Sequence, residues 1–186
     1  MATTGAKTTK KPASTGSPAK KSTADAPADS PVVVGKPAPA FSLVNAAGEK
    51  RTLRSYAGRW LVLYFYPRDD TPGCTTEACE FTSSFDDFAG LDAAVVGVSP
   101  DTPEKHAKFT AKYELRVELL ADPEKTALGA YGAYGKKMFY GKEIVGVLRQ
   151  TVIIDPKGKV AHHFKSVKAA GHAAAVAQTL RELQAA

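Results

Sequence analysis

Apolar residues fall along this chain in short dense blocks, separated by turn-forming residues and by stretches with helical spacing. The densest block, Leu61 to Tyr66, is unbroken and lies between Gly58 and Pro67. A run of this length with no polar alternation predicts a strand buried on both faces, as in a parallel or mixed sheet. Ala93 to Val98 repeats the pattern, and Glu118 to Leu120 reads as a further short strand. Between them Thr102-Pro103-Glu104 opens a helix predicted to run to about Tyr113, carrying His106 and Phe109. Strand, helix, strand in this order calls for parallel strands and a right-handed crossover.

The flanking segments complete an α/β reading. Phe41 to Val44 and Arg51 to Leu53, joined through Asn45 to Glu49 with Gly48 in the turn, predict a hairpin, and Ser55 to Gly58 a brief helical turn. Thr71-Pro72 starts a helix, and Phe81, Phe85 and Phe88 continue its spacing to a stop at Gly90. Glu124 to Tyr131 reads as a further helix, and Ala130 to Lys142, rich in Gly and Tyr, as a loop. Leu148 to Ile154 and Lys159 to Phe164, joined by Asp155-Pro156-Lys157-Gly158, predict a second hairpin, whose first strand bears Arg149. Ala169 to Leu183 is predicted to be a closing helix that covers the sheet with Val176, Leu180 and Leu183.

Composition divides the chain at its start. Residues 1–31 are dominated by Ala, Thr, Ser, Lys and Pro and bury too little to offset the entropy of ordering, so they are expected to be a disordered tail. Residues 32–186 are expected to form one domain. Net charge is +6, and Met1 to Ser30 supplies half of it through five lysines less Asp25 and Asp29. That excess favours anionic surfaces weakly and is too small to argue for a nucleic-acid-binding domain. A solvated tail is the expectation; a basic arm on nucleic acid or a targeting segment is the alternative. No apolar run is long enough for a membrane span, so no membrane partner is expected. With only two cysteines, a reducing compartment fits best: the cytoplasm, or a nucleus or organelle if the tail is a targeting segment.

Those two cysteines direct the chemistry. They lie in Pro67-Arg68-Asp69-Asp70-Thr71-Pro72-Gly73-Cys74-Thr75-Thr76-Glu77-Ala78-Cys79, directly after the central strand. Thr71 can cap free backbone N–H groups, and Pro72 at the first helical position loses no hydrogen bond. Cys74 then stands in the first turn, where unpaired N–H groups and the helix dipole favour a thiolate, the nucleophilic form. It is either an activated nucleophile or a small buried hydrophobe. Five residues along an ideal helix set two Cα atoms about 8 to 9 Å apart on different faces, whereas a disulfide wants under about 7 Å. Cys74 and Cys79 can pair only if the helix unwinds, which suits a cycling couple better than a permanent staple. His106 reads as structural or solvated, since one His without a ligand partner makes no metal site. Arg149, among apolar neighbours, either faces solvent or is aimed into a site.

Pro67, Thr71 and Cys74 match the P-x-x-x-[TS]-x-x-C signature of peroxiredoxins, and Cys79 resembles the resolving cysteine of the bacterioferritin comigratory protein, or peroxiredoxin Q, subfamily. The likeness runs from about Val34 to Leu183 and includes Gly35 to Phe41, Gly97 to Asp101 and Gly146 to Thr151. Relatives often carry Arg-Asp where Thr82-Ser83 stand here. The resemblance implies a thioredoxin-like fold and a thiol peroxidase acting on hydrogen peroxide and organic hydroperoxides. It implies Cys74 as peroxidatic nucleophile, Cys79 as resolver through an intramolecular disulfide, and re-reduction by thioredoxin. Thr71 would hydrogen-bond thiolate and peroxide, the N–H groups of Gly73 and Cys74 would receive an oxygen, Pro67 would shield the sulfur, and Arg149 would supply positive charge. No cofactor or metal is implied, and a monomer is expected. Two other readings use the same features: a redox sensor passing its oxidation to a client protein, and a nucleic-acid binder driven by the tail.

Overall fold

The computed structural model describes residues 32–186; the expected tail, residues 1–31, lies outside them. The chain begins with the predicted hairpin, β1 Ser42–Asn45 and β2 Lys50–Thr52, turning at Gly48 with φ +81°. A 3₁₀ turn, Leu53–Tyr56, falls slightly earlier than expected and leads to the central strand β3, Trp60–Phe65. Helix α1 follows at Pro72–Ser83, then α2 Phe85–Gly90, β4 Ala93–Ser99, α3 Pro103–Tyr113 and β5 Glu118–Ala121. The rest is α4 Thr126–Ala130, a hairpin of β6 Tyr134–Phe139 and β7 Lys142–Val147, then β8 Gln150–Ile154, β9 Val160–Phe164 and α5 His172–Ala185.

Seven strands form one mixed sheet in the order β2-β1-β5-β4-β3-β8-β9. β3, β4 and β5 run parallel, as the crossover pattern requires, while β8 and β9 add antiparallel at one edge and β1 and β2 at the other. β3 is covered on both sides. Leu61, Leu63 and Phe65 point into a cluster with Val96, Leu120 and Val152; Val62, Tyr64 and Tyr66 point into the other, with Phe81, Phe109 and Leu180. Gly97 on β4 leaves room for Tyr64, since a Cβ there would lie 2.6 Å from the phenol ring.

Several expectations are corrected. Ala130 to Lys142 is not a loop: β6 and β7 form a separate two-stranded ribbon, turning at Tyr140-Gly141. Its glycines suggested a break, but Gly135 and Gly146 sit opposite one another inside the ladder. The Phe stripe does not belong to one helix; the chain breaks at Ser84, and Phe85 lies under the Arg116 guanidinium at 4.3 Å. α4 is shorter than Glu124 to Tyr131, because Lys125 is left-handed at φ +59° and Asp122 receives the N–H groups of Thr126 and Leu128. α5 starts at His172 because Gly171 is left-handed at φ +77°.

Candidate active site

The site lies where the C-terminal end of β3 meets the start of β8. Thr71 has extended backbone ahead of α1, Pro72 takes the first helical position, and Cys74 is the third helical residue, as the sequence predicts. The Thr71 hydroxyl does not cap the helix: it donates to the Arg68 carbonyl at 3.0 Å. The first N–H to bond back to the loop is that of Thr75, to the Thr71 carbonyl at 2.8 Å. The N–H groups of Gly73 and Cys74 thus make no backbone hydrogen bond among the described residues, which leaves a small anion-accepting cradle.

Cys74 is 2% exposed and packs in the cluster beneath α1. Arg149 Nη2 donates to its Sγ at 3.2 Å, and Arg149 Nη1 donates to Glu77. One guanidinium therefore bridges a thiol and a carboxylate one helical turn apart, a use of its fork that a lysine would not reproduce. Arg149 reaches them from outside the ladder. The predicted strand Leu148 to Ile154 begins only at Gln150, and Leu148 bonds Ala133 instead, at 2.7 Å, so Arg149 sits at the joint between β7 and β8 with its side chain free to aim at α1. Gly73 lies directly against this guanidinium: a Cβ there would meet Arg149 Nη2 at 3.4 Å, an ordinary contact.

Glu77 was not picked out as a site residue from the sequence. It is fully buried, and burial pushes its carboxyl up to about 7 against the opposing pull of Arg149. Desolvation works against the charge of Arg149, and Glu77 and Cys74 outweigh it, so the guanidinium is held protonated more firmly than usual. Spacing carried a signal for Glu77, since it stands three residues after Cys74 and shares its helix face.

The loop before α1 is pinned from below. Asp69 accepts from Tyr66 Oη at 2.6 Å and faces His106 Nδ1 at 2.7 Å, while its own N–H donates to Asp101 at 2.8 Å. His106 is thus the buried structural histidine of the two readings offered. Pro67 lines a cavity of about 330 Å³ with Arg149, Leu148, Lys137 and Lys165, so it borders the site mouth. A cleft of about 430 Å³ at the far end of β3, between Arg54, Tyr56 and Pro156, contains neither thiol. Cys79 is half-buried in a groove between α1 and α5 with Thr76, Glu80, Gly171 and Ala173, and both cysteines are free. Among the described residues no cluster of His, Cys, Asp and Glu could hold a metal ion.

The AhpC/TSA family matches residues 34–163. Peroxiredoxin Bcp of Bacillus subtilis is 43% identical over 152 residues, covering 82% of this chain and 97% of that protein. A putative peroxiredoxin of Helicobacter pylori is 46% identical over 147 residues, covering 79% and 97%. Among solved structures, the bacterioferritin comigratory protein of Xanthomonas campestris, described for its alkyl peroxide reduction activity, is 38% identical with a TM-score of 0.73, over 76% of this chain and 90% of that one. A peroxiredoxin Q of Xylella fastidiosa reaches a TM-score of 0.76 at 32% identity, over 81% and 96%. The chain belongs to the AhpC/TSA family, within its peroxiredoxins of the bacterioferritin comigratory protein and peroxiredoxin Q type.

Proposed function

We propose that this peroxiredoxin reduces hydrogen peroxide and small organic hydroperoxides through Cys74, with Cys79 as resolver and a thioredoxin-like dithiol protein as reductant. The observation that carries the reading is the 3.2 Å contact from Arg149 to Cys74 Sγ, made across 75 residues of sequence. A guanidinium donating to sulfur favours the thiolate, and the open N–H groups of Gly73 and Cys74 offer a place for oxygen charge.

The thiolate attacks one peroxide oxygen. An S–O bond forms, the O–O bond breaks, and sulfur gives up two electrons; the departing oxygen takes a proton and leaves as water or alcohol. Arg149 and the two N–H groups steady the charge on the oxygens. Thr71 joins by rotating its hydroxyl from the Arg68 carbonyl to the peroxide, and Pro67 screens the sulfur from solvent. The first turn of α1 then unwinds, Cys79 attacks the sulfenic sulfur with loss of water, and thiol exchange with the reductant restores both thiols. Every electron passes through sulfur, so no cofactor is required. Residues 32–186 would act as one catalytic unit, monomeric and in a reducing compartment such as the cytoplasm.

Cys74→Ser is expected to abolish turnover in a coupled assay with thioredoxin and its reductase; surviving activity would reassign the nucleophile. Cys79→Ser is expected to consume one equivalent of peroxide and stall as sulfenic acid. Peptide mass mapping of the oxidised wild type should find Cys74 joined to Cys79, and its absence would remove Cys79 from the cycle.

A further inference from the structure

Five of the eight exposed large apolar side chains among the described residues lie on the β6–β7 ribbon. Met138 is 67% exposed, Phe139 55%, Tyr140 92% and Val145 59%, with Ile144 beside them. The ribbon stands apart from the main sheet. Its tip is a two-residue turn with Tyr140 at φ +48° and Gly141 at φ +77°. Such a turn favours Asn or Asp before Gly, and a bulky residue at positive φ is a backbone outlier that points to a functional constraint. An aromatic ring is thus held at the most exposed point of the ribbon against local preference.

The register decides what kind of surface could cover it. Met138 faces Glu143 and Lys136 faces Val145 on one side; Phe139 faces Lys142 and Lys137 faces Ile144 on the other. Each side therefore mixes two apolar residues with lysine. A protein groove gripping either side would bury a lysine and leave the other apolar pair exposed. A lipid surface receives both sides at once, because apolar side chains at the tip enter the boundary between headgroups and acyl chains while lysine stems reach back to the headgroups. Three lysines against Glu143 give the ribbon a net charge of +2, with Lys136 paired to Glu143 at 2.9 Å and Lys137 donating to the Val147 carbonyl at 2.8 Å, and Lys165 adds another cation at the cavity that Lys137 helps to line. That charge suits anionic lipid and opposes tip-to-tip pairing of two copies.

We propose that the β6–β7 tip docks this protein on anionic lipid surfaces. Met138, Phe139 and Tyr140 sit at headgroup level, and the cavity beside Arg149 turns toward the bilayer. Surface docking needs no membrane span, so it revises the expectation of no membrane partner without requiring a long apolar helix. It is independent of the roles given to the thiols.

The test is co-sedimentation of the full chain with vesicles of phosphatidylcholine alone and of phosphatidylcholine mixed with phosphatidylglycerol. Binding is expected to the mixed vesicles and to weaken about tenfold or more in high salt. The Phe139→Ser, Tyr140→Ser double variant should lose that binding while reducing soluble hydrogen peroxide at the wild-type rate, which also reports that it folds. Undiminished binding by the variant, as the lysines of residues 1–31 alone would give, overturns the proposal. So does a wild type that sediments with neither vesicle. A self-associating wild type whose variant is monomeric would make the occupant a second copy. A raised KM for the dithiol reductant, with vesicle binding unaltered, would make it the reductant; either result sinks lipid docking.

Discussion

The two sides of β3 are built from neighbouring residues of one strand, yet both cysteines pack on only one of them. Behind Leu61, Leu63 and Phe65 the core is mostly hydrocarbon, with Gln150 and His163 at its β8–β9 edge, and the phenols that enter it are satisfied: Tyr131 Oη donates to the Pro39 carbonyl at 2.7 Å and Tyr56 Oη to Glu118 at 2.6 Å. Behind Val62, Tyr64 and Tyr66 lie Cys74, Glu77, Asp69, His106 and His172, and Tyr64 Oη, Glu77 Oε1 and His106 Nε2 have no hydrogen-bond partner among the described residues. An unpartnered buried polar group costs on the order of 1 to 3 kcal/mol. A fold keeps several of them together where the arrangement of charge matters more than stability. The contrast predicts that substitutions on the thiol side change rate, and those on the other side change stability alone.

Arg149→Ala should break this contrast most severely. It removes the donor to Cys74 and strands Glu77 without its cation, so peroxide reduction in a single turnover should fall by about 100-fold or more. Stopped-flow measurement checks this, and a wild-type rate would reduce Arg149 to a structural ion pair. Arg149→Lys should rescue only part, since an ammonium lacks the planar fork that spans Sγ and Oε2. On the quiet side Leu63→Ala should cost about 2 to 5 kcal/mol in urea unfolding. Its single-turnover rate should stay within about twofold, because the cavity it opens lies across the sheet from the sulfur. A large rate loss there would mean that the two sides are coupled through β3.

The difference between the two sides was only partly legible in the sequence. Unbroken apolar runs at Leu61–Tyr66 and Ala93–Val98 gave the parallel strands, because a doubly covered strand has no polar face to display. Thr71-Pro72 gave the helix start, because proline fits the first helical position for covalent reasons that no tertiary context changes. Glu77 and Asp69 were harder, since a carboxylate on a helix or loop is ordinarily solvated and only a distant Arg149 or His106 shows otherwise. Thr71 misled for a related reason: as a cap its hydroxyl had two local acceptor choices, and the loop geometry selects the Arg68 carbonyl. The β6–β7 ribbon was hidden by its glycines and by a turn with tyrosine in place of asparagine.

Glu77 sharpens the contrast through pH. Its carboxyl is raised from 4.5 to about 7, so the folded protein holds a proton that the unfolded chain releases between those values. The stability this contributes is full below pH 4.5 and is lost as pH rises toward 7, at a slope of about 1.4 kcal/mol per unit at most. Glu77→Gln should remove that contribution, so that stability relative to the wild type falls as pH drops from 7 toward 4.5, seen by urea unfolding across the range. It should also slow peroxide reduction about tenfold at neutral pH, as Arg149 loses the partner that aims it.

His172 supplies the smallest effect, and its opposite sign makes it separable. It is buried at the start of α5, its Nε2 lies 2.8 Å from Thr151 Oγ1, and its ring meets Phe81 and Phe164 edge-on. Burial, aided by the charge of Arg149, lowers its pKa from 6.5 to about 4. The folded protein therefore excludes a proton that the unfolded chain binds, and stability is lost as pH falls from 6.5 toward 4. Between pH 4.5 and 6.5 the two slopes oppose, so wild-type stability should vary little there. His172→Gln keeps a side chain able to bond Thr151 and should leave a protein that is steadily stabilised by acid through that window. Glu77→Gln should leave one that is destabilised by acid. If both variants instead follow the wild-type curve, neither group titrates as the fold requires, and the polar side of β3 is no more sensitive to pH than the apolar one.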